Sequence, residues 1–382
     1  MRATKIAQVG PRSCPQDTVS RVVGTMSGTS CDGLDVVLIE VDPSGMEVMG
    51  LAFKAFPYPK AWQERLRTLG SLTDADALDL EAEWTDWVMA KLHPLLKDWS
   101  NTHGPLHLLG FSGHTWYHEP RGRGTRAIGD AECLHANLGM SVVADYRSAD
   151  VAAGGQGAPL VPLFDAMVFP EYAACLNLGG IANVTVQRPG MPVLASDLCG
   201  CNLLLNRQAQ RMGMPFDRDG RGASAGVVDA NALAQLQAWG YLNRPWPKSL
   251  AAEDLMGLHS ALDMVPRPED ALATAVHWMA EAIAQGCPEG PGKVLVTGGG
   301  AHHPGLVSAL RSALSVQGLT LNIPEGDWVD GKEAAAFAWL AWRTAHGRPT
   351  SLASVTGAAQ DVCGGVLYGN FTPPGMDGTT LV

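Results

Sequence analysis

Within nine residues, Ser27-Gly28-Thr29-Ser30-Cys31-Asp32-Gly33-Leu34-Asp35 gathers three hydroxyls, two glycines and two carboxylates. Hydroxyls and successive backbone N–H groups suit the oxygens of a phosphate. A hard divalent cation such as Mg2+ takes one or two carboxylates, often through water. Asp32 is the metal candidate, with Asp35 close behind it. The chemistry implied is the handling of a phosphorylated ligand, although an ordinary Gly/Ser hairpin loop has the same composition.

Such a loop has to be held by its flanks. Arg21-Val22-Val23 on one side and Val36-Val37-Leu38-Ile39 on the other are apolar, β-branched runs, which predicts a hairpin with an oversized polar tip. The theme returns downstream, where Ala174 to Asn177 and Val184 to Val186 read as strands joined by Leu178-Gly179-Gly180-Ile181-Ala182-Asn183. Asn177, Gly179, Gly180 and Asn183 are the phosphate candidates of this second hairpin. A third glycine turn, Gly298-Gly299-Gly300, follows the buried-type strand Lys293 to Val296 and precedes a helix running to Val316. Glycine there permits the close approach of a nucleotide, and equally a turn with no ligand.

Between these turns, Gly45 to Phe56 reads as a strand pair, and Trp62 to Leu69 and Asp74 to Trp99 as helices, the second kinked at Pro94. His107 to Phe111 is a short apolar strand leading into Ser112-Gly113-His114-Thr115. AIGDAECLHANLG is a helix with Asp130 near its start, Asp263 to Glu269 a linker, Ala271 to Gln285 an amphipathic helix, and Glu333 to Ala345 an alanine-rich one.

The chain has 382 residues, enough for two lobes, with 44 Gly and 25 Pro dispersed as turns rather than concentrated in low-complexity tracts. A formal charge of −11 argues against a nucleic-acid or anionic-membrane surface, so an anionic ligand needs a local cationic pocket or a metal. Eight scattered cysteines and the lack of a leader or spanning apolar run fit a cytoplasmic protein. Cys199-Gly200-Cys201 has no second Cys/His pair at zinc-ligand spacing and reads as small buried thiols.

From Val22 to about Ala358 the chain resembles the anhydro-N-acetylmuramic acid kinases, a family within the superfamily of actin, sugar kinases and heat-shock chaperone ATPases. The resemblance rests on SGTSCDGLD, SVVADYRSADVAAGGQGAPLVPLFDA, NLGGIANVT, FDRDGRGASAG and GKEAAAFAWLAWRTAHGRPTSLASVTGA, in that order. It implies an α/β, two-lobed actin-like ATPase fold, each lobe a mixed sheet flanked by helices, with an interlobe cleft. Residues 21–150 would form the N-terminal lobe, closed by 333–382, and 151–332 the C-terminal lobe, with 1–20 a flexible extension.

The family's chemistry, carried over, implies ATP and Mg2+ as cofactors and a small sugar as substrate, without nucleic acid or membrane and with a homodimer allowed. The reaction would open 1,6-anhydro-N-acetylmuramic acid with water and phosphorylate it to N-acetylmuramate 6-phosphate, in cell-wall recycling. By resemblance Ser27 to Asp35, the second hairpin and Gly298 to Gly300 bind nucleotide. His114, Thr115, Asp145, Arg147, Asp150 and Glu333 line the sugar site, and Arg147 suits the lactyl carboxylate as a bidentate donor. Asp197 becomes the general base for the attacking water; its alternative is an N-cap of the following helix. Three blocks depart from the family pattern. GFSGHT differs at Ser112 and His114, DLCGCN keeps Asp197 and Asn202 but alters the four residues between, and PKSLA keeps Lys248 and Ser249 but differs at Leu250 and Ala251. The alternative function is a diverged member acting on another sugar, or an ATP-binding protein with weak or no turnover.

Overall fold

A computed structural model of the protein describes residues 18–374, and the expected extension over 1–20 lies, up to residue 17, outside the described residues. The chain forms two compact units, 18–168 with 325–374, and Phe169–Pro324. The sequence reading draws its boundaries at 150 and 333. In the structure residues 151–168 and 325–332 belong with the first unit, and their packing explains why. Lys332 Nζ meets the Asp165 carboxylate at 2.8 Å, each side chain only 3% exposed, and the Phe164 and Trp339 rings meet edge to face.

In the first unit β1 (Ser20–Ser27), β2 (Gly33–Val41) and β3 (Val48–Pro57) form an antiparallel meander. Next, β4 (Leu108–Glu119) lies parallel to β1; β5 (Gly124–Ile128) pairs with its far end, and β6 (Ser141–Ala144) runs parallel to its start. Only one strand occupies the stretch read as a strand pair. The Asp42 carboxylate accepts the N–H groups of Ser44, Met46 and Glu47, and so holds 42–47 as a turn.

The helix Asp74–His103 starts where Thr73 accepts the N–H of Asp76, with Asp74 and Asp76 in its first turn, and it runs unbroken through Pro94. Its apolar face, Leu80, Trp84, Val88 and Leu92, covers one side of the sheet against Leu34, Leu38 and Phe111. On the other side lies the alanine-rich helix Trp328–Ala345. Strand and helix backbones nearly touch there: a Cβ on Gly24 would lie 2.0 Å from the Ala334 carbonyl oxygen. This helix begins five residues before the expected Glu333, because Trp328 and Val329 are buried and anchor an earlier turn.

The second unit repeats the plan. An antiparallel meander of β7 (Ala174–Leu178), β8 (Ile181–Val186) and β9 (Leu194–Gly200) is followed by β10 (Gly292–Thr297) parallel to β7 and β11 (Leu319–Asn322) parallel to β10. The helix Pro268–Gln285, rich in buried Ala, Leu, Trp and Ile, supplies much of its core. The chain then returns to the first unit, where β12 (Val366–Tyr368) pairs with β6. The five-strand path β3-β2-β1-β4-β6 of the seven-stranded first sheet, to which β12 and β5 are added, recurs with the same senses as β9-β8-β7-β10-β11 in the second, in keeping with the duplicated sheet expected of the actin-like ATPase fold.

Candidate active site

The first hairpin has its tip at Gly28–Asp32, closed by Cys31 N–H on the Gly28 carbonyl with Cys31 at φ 56°. Thr29, Ser30 and Asp32 are exposed at this tip, as phosphate and metal contacts require. Ser27 is different. Its buried hydroxyl bonds the Tyr58 hydroxyl at 2.7 Å and His114 Nδ1 at 2.8 Å, so it braces the hairpin from beneath. Leu34 and Cys31 are also turned into the core, and Gly33 pairs with Pro57, so these three shape the tip without presenting side chains.

Asp35 is half-buried, and burial first, then the carboxylates of Asp330, Glu333 and Asp32, push it up to about 7. Among the described residues no three His, Cys, Asp or Glu side chains converge as a ready-made metal cage. Mg2+ in a phosphate site keeps most of its waters and needs only one or two carboxylates, a demand that Asp32 with Asp35 fits.

The same unit holds a cavity of about 690 Å3 lined by Ser112, Thr115, Tyr117, Arg126, Asp145 and Arg147, among others. Phe111, Ser112, Gly113 and Thr115 of GFSGHT reach it, and His114 does not. Thr115 faces the cavity, while His114, 2% exposed, points the opposite way onto Ser27 and the Trp84 ring. Burial lowers His114 to about 4, so the ring is neutral at ordinary pH. The expected sugar contact through His114 is therefore replaced by a bracing role.

Asp145, at φ 54°, accepts the hydroxyl and N–H of Ser148 and so sets the turn that carries Arg147. Arg147 donates to the Gly157 carbonyl at 2.9 Å; burial lowers its pKa and Glu333 raises it. Glu333 itself is raised chiefly by burial. Asp150, also expected at the sugar site, is fully buried. It accepts from Gly157 N–H, Ser351 Oγ and Thr356 Oγ1 at 2.7, 2.6 and 2.8 Å, an internal latch with no face toward the cavity. Of the six expected sugar contacts, Thr115, Asp145 and Arg147 share the cavity wall and Glu333 acts on Arg147.

In the second unit three polar side chains lie in a row across adjacent strands. Asn177 on β7 is opposite Asn183 on β8, and Asn183 is opposite Asp197 on β9, after a register shift between Ala182 and Asn183. Opposed residues of an antiparallel pair share a face, so all three project from the same side. All are half-buried, while Leu176, Leu178, Val184 and Leu198 beside them are buried. The Gly179-Gly180 tip caps one end of β7. Its carbonyls accept the N–H groups of Cys201, Asn202 and Leu203, tying the start of the helix Asn202–Gln210 to the hairpin.

Asn202 Nδ2 in turn donates to the Leu178 carbonyl at 3.0 Å. The third glycine turn presses against the same spot. A Cβ on Gly298, which sits at φ 86°, would lie 2.4 Å from Asn177 Oδ1, and one on Gly300 2.7 Å from Leu178 Cβ. Gly298, Gly299 and Gly300 thus leave bare backbone beside the asparagine row.

Asp197 is not an N-cap; Cys201 holds that position, without a side-chain bond. The Asp197 carboxylate accepts Leu250 N–H at 2.9 Å. Burial raises its pKa, and Leu250 N–H and the nearby Ser249 hydroxyl oppose the rise. The altered residues after it do not face the site. Leu198, Cys199 and Cys201 are at most 2% exposed, with Leu198 against Gly286 and Gly200 against Leu204 and Leu255. Burial raises both thiols, Cys201 to about 12, so they stay protonated and inert. Only Asp197 and Asn202, the two positions that match the family pattern, are half-exposed in this block. Sequence reading could not find the asparagine and aspartate row, because pairing β8 with β9 depends on the register shift.

Comparison with known proteins agrees with the sequence motifs. The family described as anhydro-N-acetylmuramic acid kinase matches residues 20–370. The chain belongs to that family. An anhydro-N-acetylmuramic acid kinase of Ruegeria sp. (strain TM1040) is 39% identical over 370 residues, covering 91% of this chain and 94% of that protein. One of Salinibacter ruber (strain DSM 13855 / M31) is 36% identical over 372 residues, covering 88% and 93%. Among solved structures, the ethanolamine utilization protein EutJ from Carboxydothermus hydrogenoformans aligns with a TM-score of 0.38 at 16% identity, over 87% of this chain and 92% of that one. No helix among the described residues is long and apolar enough to cross a membrane.

Proposed function

We propose that the protein is an ATP-dependent anhydro-N-acetylmuramic acid kinase of the cytoplasm, serving the recycling of cell-wall sugars. Membership of the family supports the reaction class. The observation that carries the residue roles is Asp197, a half-buried carboxylate held by Leu250 N–H in the unit that also bears two glycine-lined turns.

In this reading a water attacks C1 of the 1,6-anhydro sugar and gives its proton to Asp197, the general base. The C1–O bond of the bridge breaks, and its oxygen, now O6, forms a bond to the γ-phosphorus of ATP. The bond from that phosphorus to the β–γ bridging oxygen breaks and ADP leaves; Asp197 later releases its proton to solvent. No general acid is required, because the departing O6 is captured by phosphorus. Catalysis is alignment and charge stabilisation. Arg147 pairs with the lactyl carboxylate, and Thr115 and Asp145 contribute polar contacts to the sugar. Thr29 and Ser30 of the first tip, and the backbone of Gly179, Gly180 and Gly298 to Gly300, receive the nucleotide. Asp32 and Asp35 would hold Mg2+, which would supply charge neutralisation on the phosphates.

Turnover in 18O-labelled water tests this reading. The label is expected in the C1 hydroxyl of N-acetylmuramate 6-phosphate and not in phosphate. Label in free phosphate, with the anhydro sugar unchanged, marks simple ATP hydrolysis and overturns it.

A further inference from the structure

Beneath the first hairpin the buried side chains of Trp84, Tyr58, Ser27, His114 and Cys31 form one continuous hydrogen-bonded chain. Trp84 Nε1 lies 3.1 Å from the Tyr58 hydroxyl, which lies 2.7 Å from Ser27 Oγ. Ser27 Oγ lies 2.8 Å from His114 Nδ1, and His114 Nε2 lies 3.9 Å from Cys31 Sγ. The Cys31 thiol ends the chain on the Thr29 carbonyl at 3.5 Å, within the tip itself. An indole N–H can only donate, so Trp84 donates to Tyr58, Tyr58 to Ser27, and Ser27 to Nδ1 of the neutral His114 ring. The ring then carries its proton on Nε2, toward the sulfur. This is the direction that leaves every proton of the chain with an acceptor.

A bulge puts His114 there. Thr25 on β1 is opposite Phe111 on β4 and Ser27 is opposite His114, so Ser112 and Gly113 stand against Met26 alone, with Gly113 at φ 65°. The extra residue brings Phe111 and His114 both against the Trp84 ring, although an odd spacing puts residues of a plain strand on opposite faces. At the tip the consequence is the orientation of two peptide groups. Cys31 N–H takes the Gly28 carbonyl and the Cys31 thiol takes the Thr29 carbonyl. In a trans peptide the N–H opposes the C=O, so the N–H groups of Thr29 and Ser30 are turned away from the buried Cys31.

We infer that His114 is a positioning residue for phosphoryl transfer: in its Nε2–H tautomer it links Ser27 to Cys31 and so holds the Thr29 and Ser30 N–H groups in the orientation that meets the phosphates of the nucleotide. The inference rests on the reading of the first tip as a phosphate contact. It gives a task to a side chain that stands at an altered position of GFSGHT and faces away from the sugar cavity.

The test is steady-state kinetics for ATP and the anhydro sugar in wild type, His114→Leu, His114→Gln, Cys31→Ala and Cys31→Ser, with the backbone amide resonances of Thr29 and Ser30 followed on adding Mg-ADPNP. Breaking the chain, in His114→Leu or Cys31→Ala, lowers kcat by about tenfold or more while KM for both substrates stays within about threefold, because alignment of the transferring group is what is lost. The double variant is no slower than the worse single one, since the chain is already broken. His114→Gln and Cys31→Ser keep a donor and an acceptor at each place and stay within about threefold of wild type. Additive losses, or losses in His114→Gln and Cys31→Ser as large as in His114→Leu and Cys31→Ala, mark a packing role and overturn the inference. Wild-type kcat in Cys31→Ala, with the Thr29 and Ser30 amides shifting on Mg-ADPNP as in wild type, overturns the positioning role alone. Amides that do not respond to Mg-ADPNP in wild type overturn the reading of the tip and this inference with it.

Discussion

The two hairpins occupy the same place in the same sheet order yet differ in what they present at their tips. The first has a five-residue tip, Gly28–Asp32, with hydroxyls and a carboxylate exposed and a buried brace of Ser27, Tyr58, His114 and Trp84 beneath. The second has only Gly179-Gly180 between its strands, and its carbonyls are committed to the helix Asn202–Gln210. What it presents is bare backbone, backed by Gly298 to Gly300, and the Asn177, Asn183 and Asp197 row. A duplicated fold thus need not carry duplicated chemistry. One tip presents side chains and the other bare backbone.

That contrast can be broken most severely at Gly298. In Gly298→Ala the new Cβ meets Asn177 and Leu178 at a left-handed φ, so stability is expected to fall by about 2 kcal/mol or more. Calorimetric affinity for Mg-ATP should fall more than about a hundredfold, beyond what the lost stability explains. Asp32→Asn acts on the other tip, where removing an exposed carboxylate should lower kcat/KM for Mg-ATP by about tenfold, partly recovered at high Mg2+, with no change in thermal unfolding.

Ser27→Ala sharpens the comparison by separating brace from tip. Losing its bonds to Tyr58 and His114 should cost about 1–3 kcal/mol in denaturant unfolding, with nucleotide affinity changed less than about threefold. A large affinity loss with unchanged stability would instead put Ser27 at the phosphate.

The smallest effect is electrostatic. Asp35 has a folded pKa of about 7, above its unfolded value, so the native state holds that proton more tightly. The stability it contributes is complete below about pH 4 and is lost as pH rises through about 7. Asp35→Asn should flatten that part of the slope of unfolding free energy against pH. A slope unchanged by the substitution would remove Asp35 from the carboxylate cluster.

Much of this architecture is legible in the sequence because it is local. β-branched runs around Gly/Ser tips disclose both hairpins, and Thr73 with Asp74 and Asp76 announces the long helix. What escapes is decided by partners far along the chain. β5 is short and half-exposed and exists because it pairs with β4; the helix Trp328–Ala345 starts early because Trp328 finds Gly50 on β3. Motif matching also gives no orientation. Asp150 lies in a family-like block and His114 at an altered position, yet both point inward, and the altered Leu198 to Cys201 are core residues whose side chains face away from the polar row. Asp197 keeps its place because strand alternation and a register shift turn it to the polar face.

The most direct measurement is ADP release from Mg-ATP with and without 1,6-anhydro-N-acetylmuramic acid, in wild type and Asp197→Asn. The account predicts release that depends on the sugar in wild type and falls by about a hundredfold or more in Asp197→Asn, with Mg-ATP affinity preserved. Equal release with and without sugar, or an Asp197→Asn enzyme as fast as wild type, contradicts it.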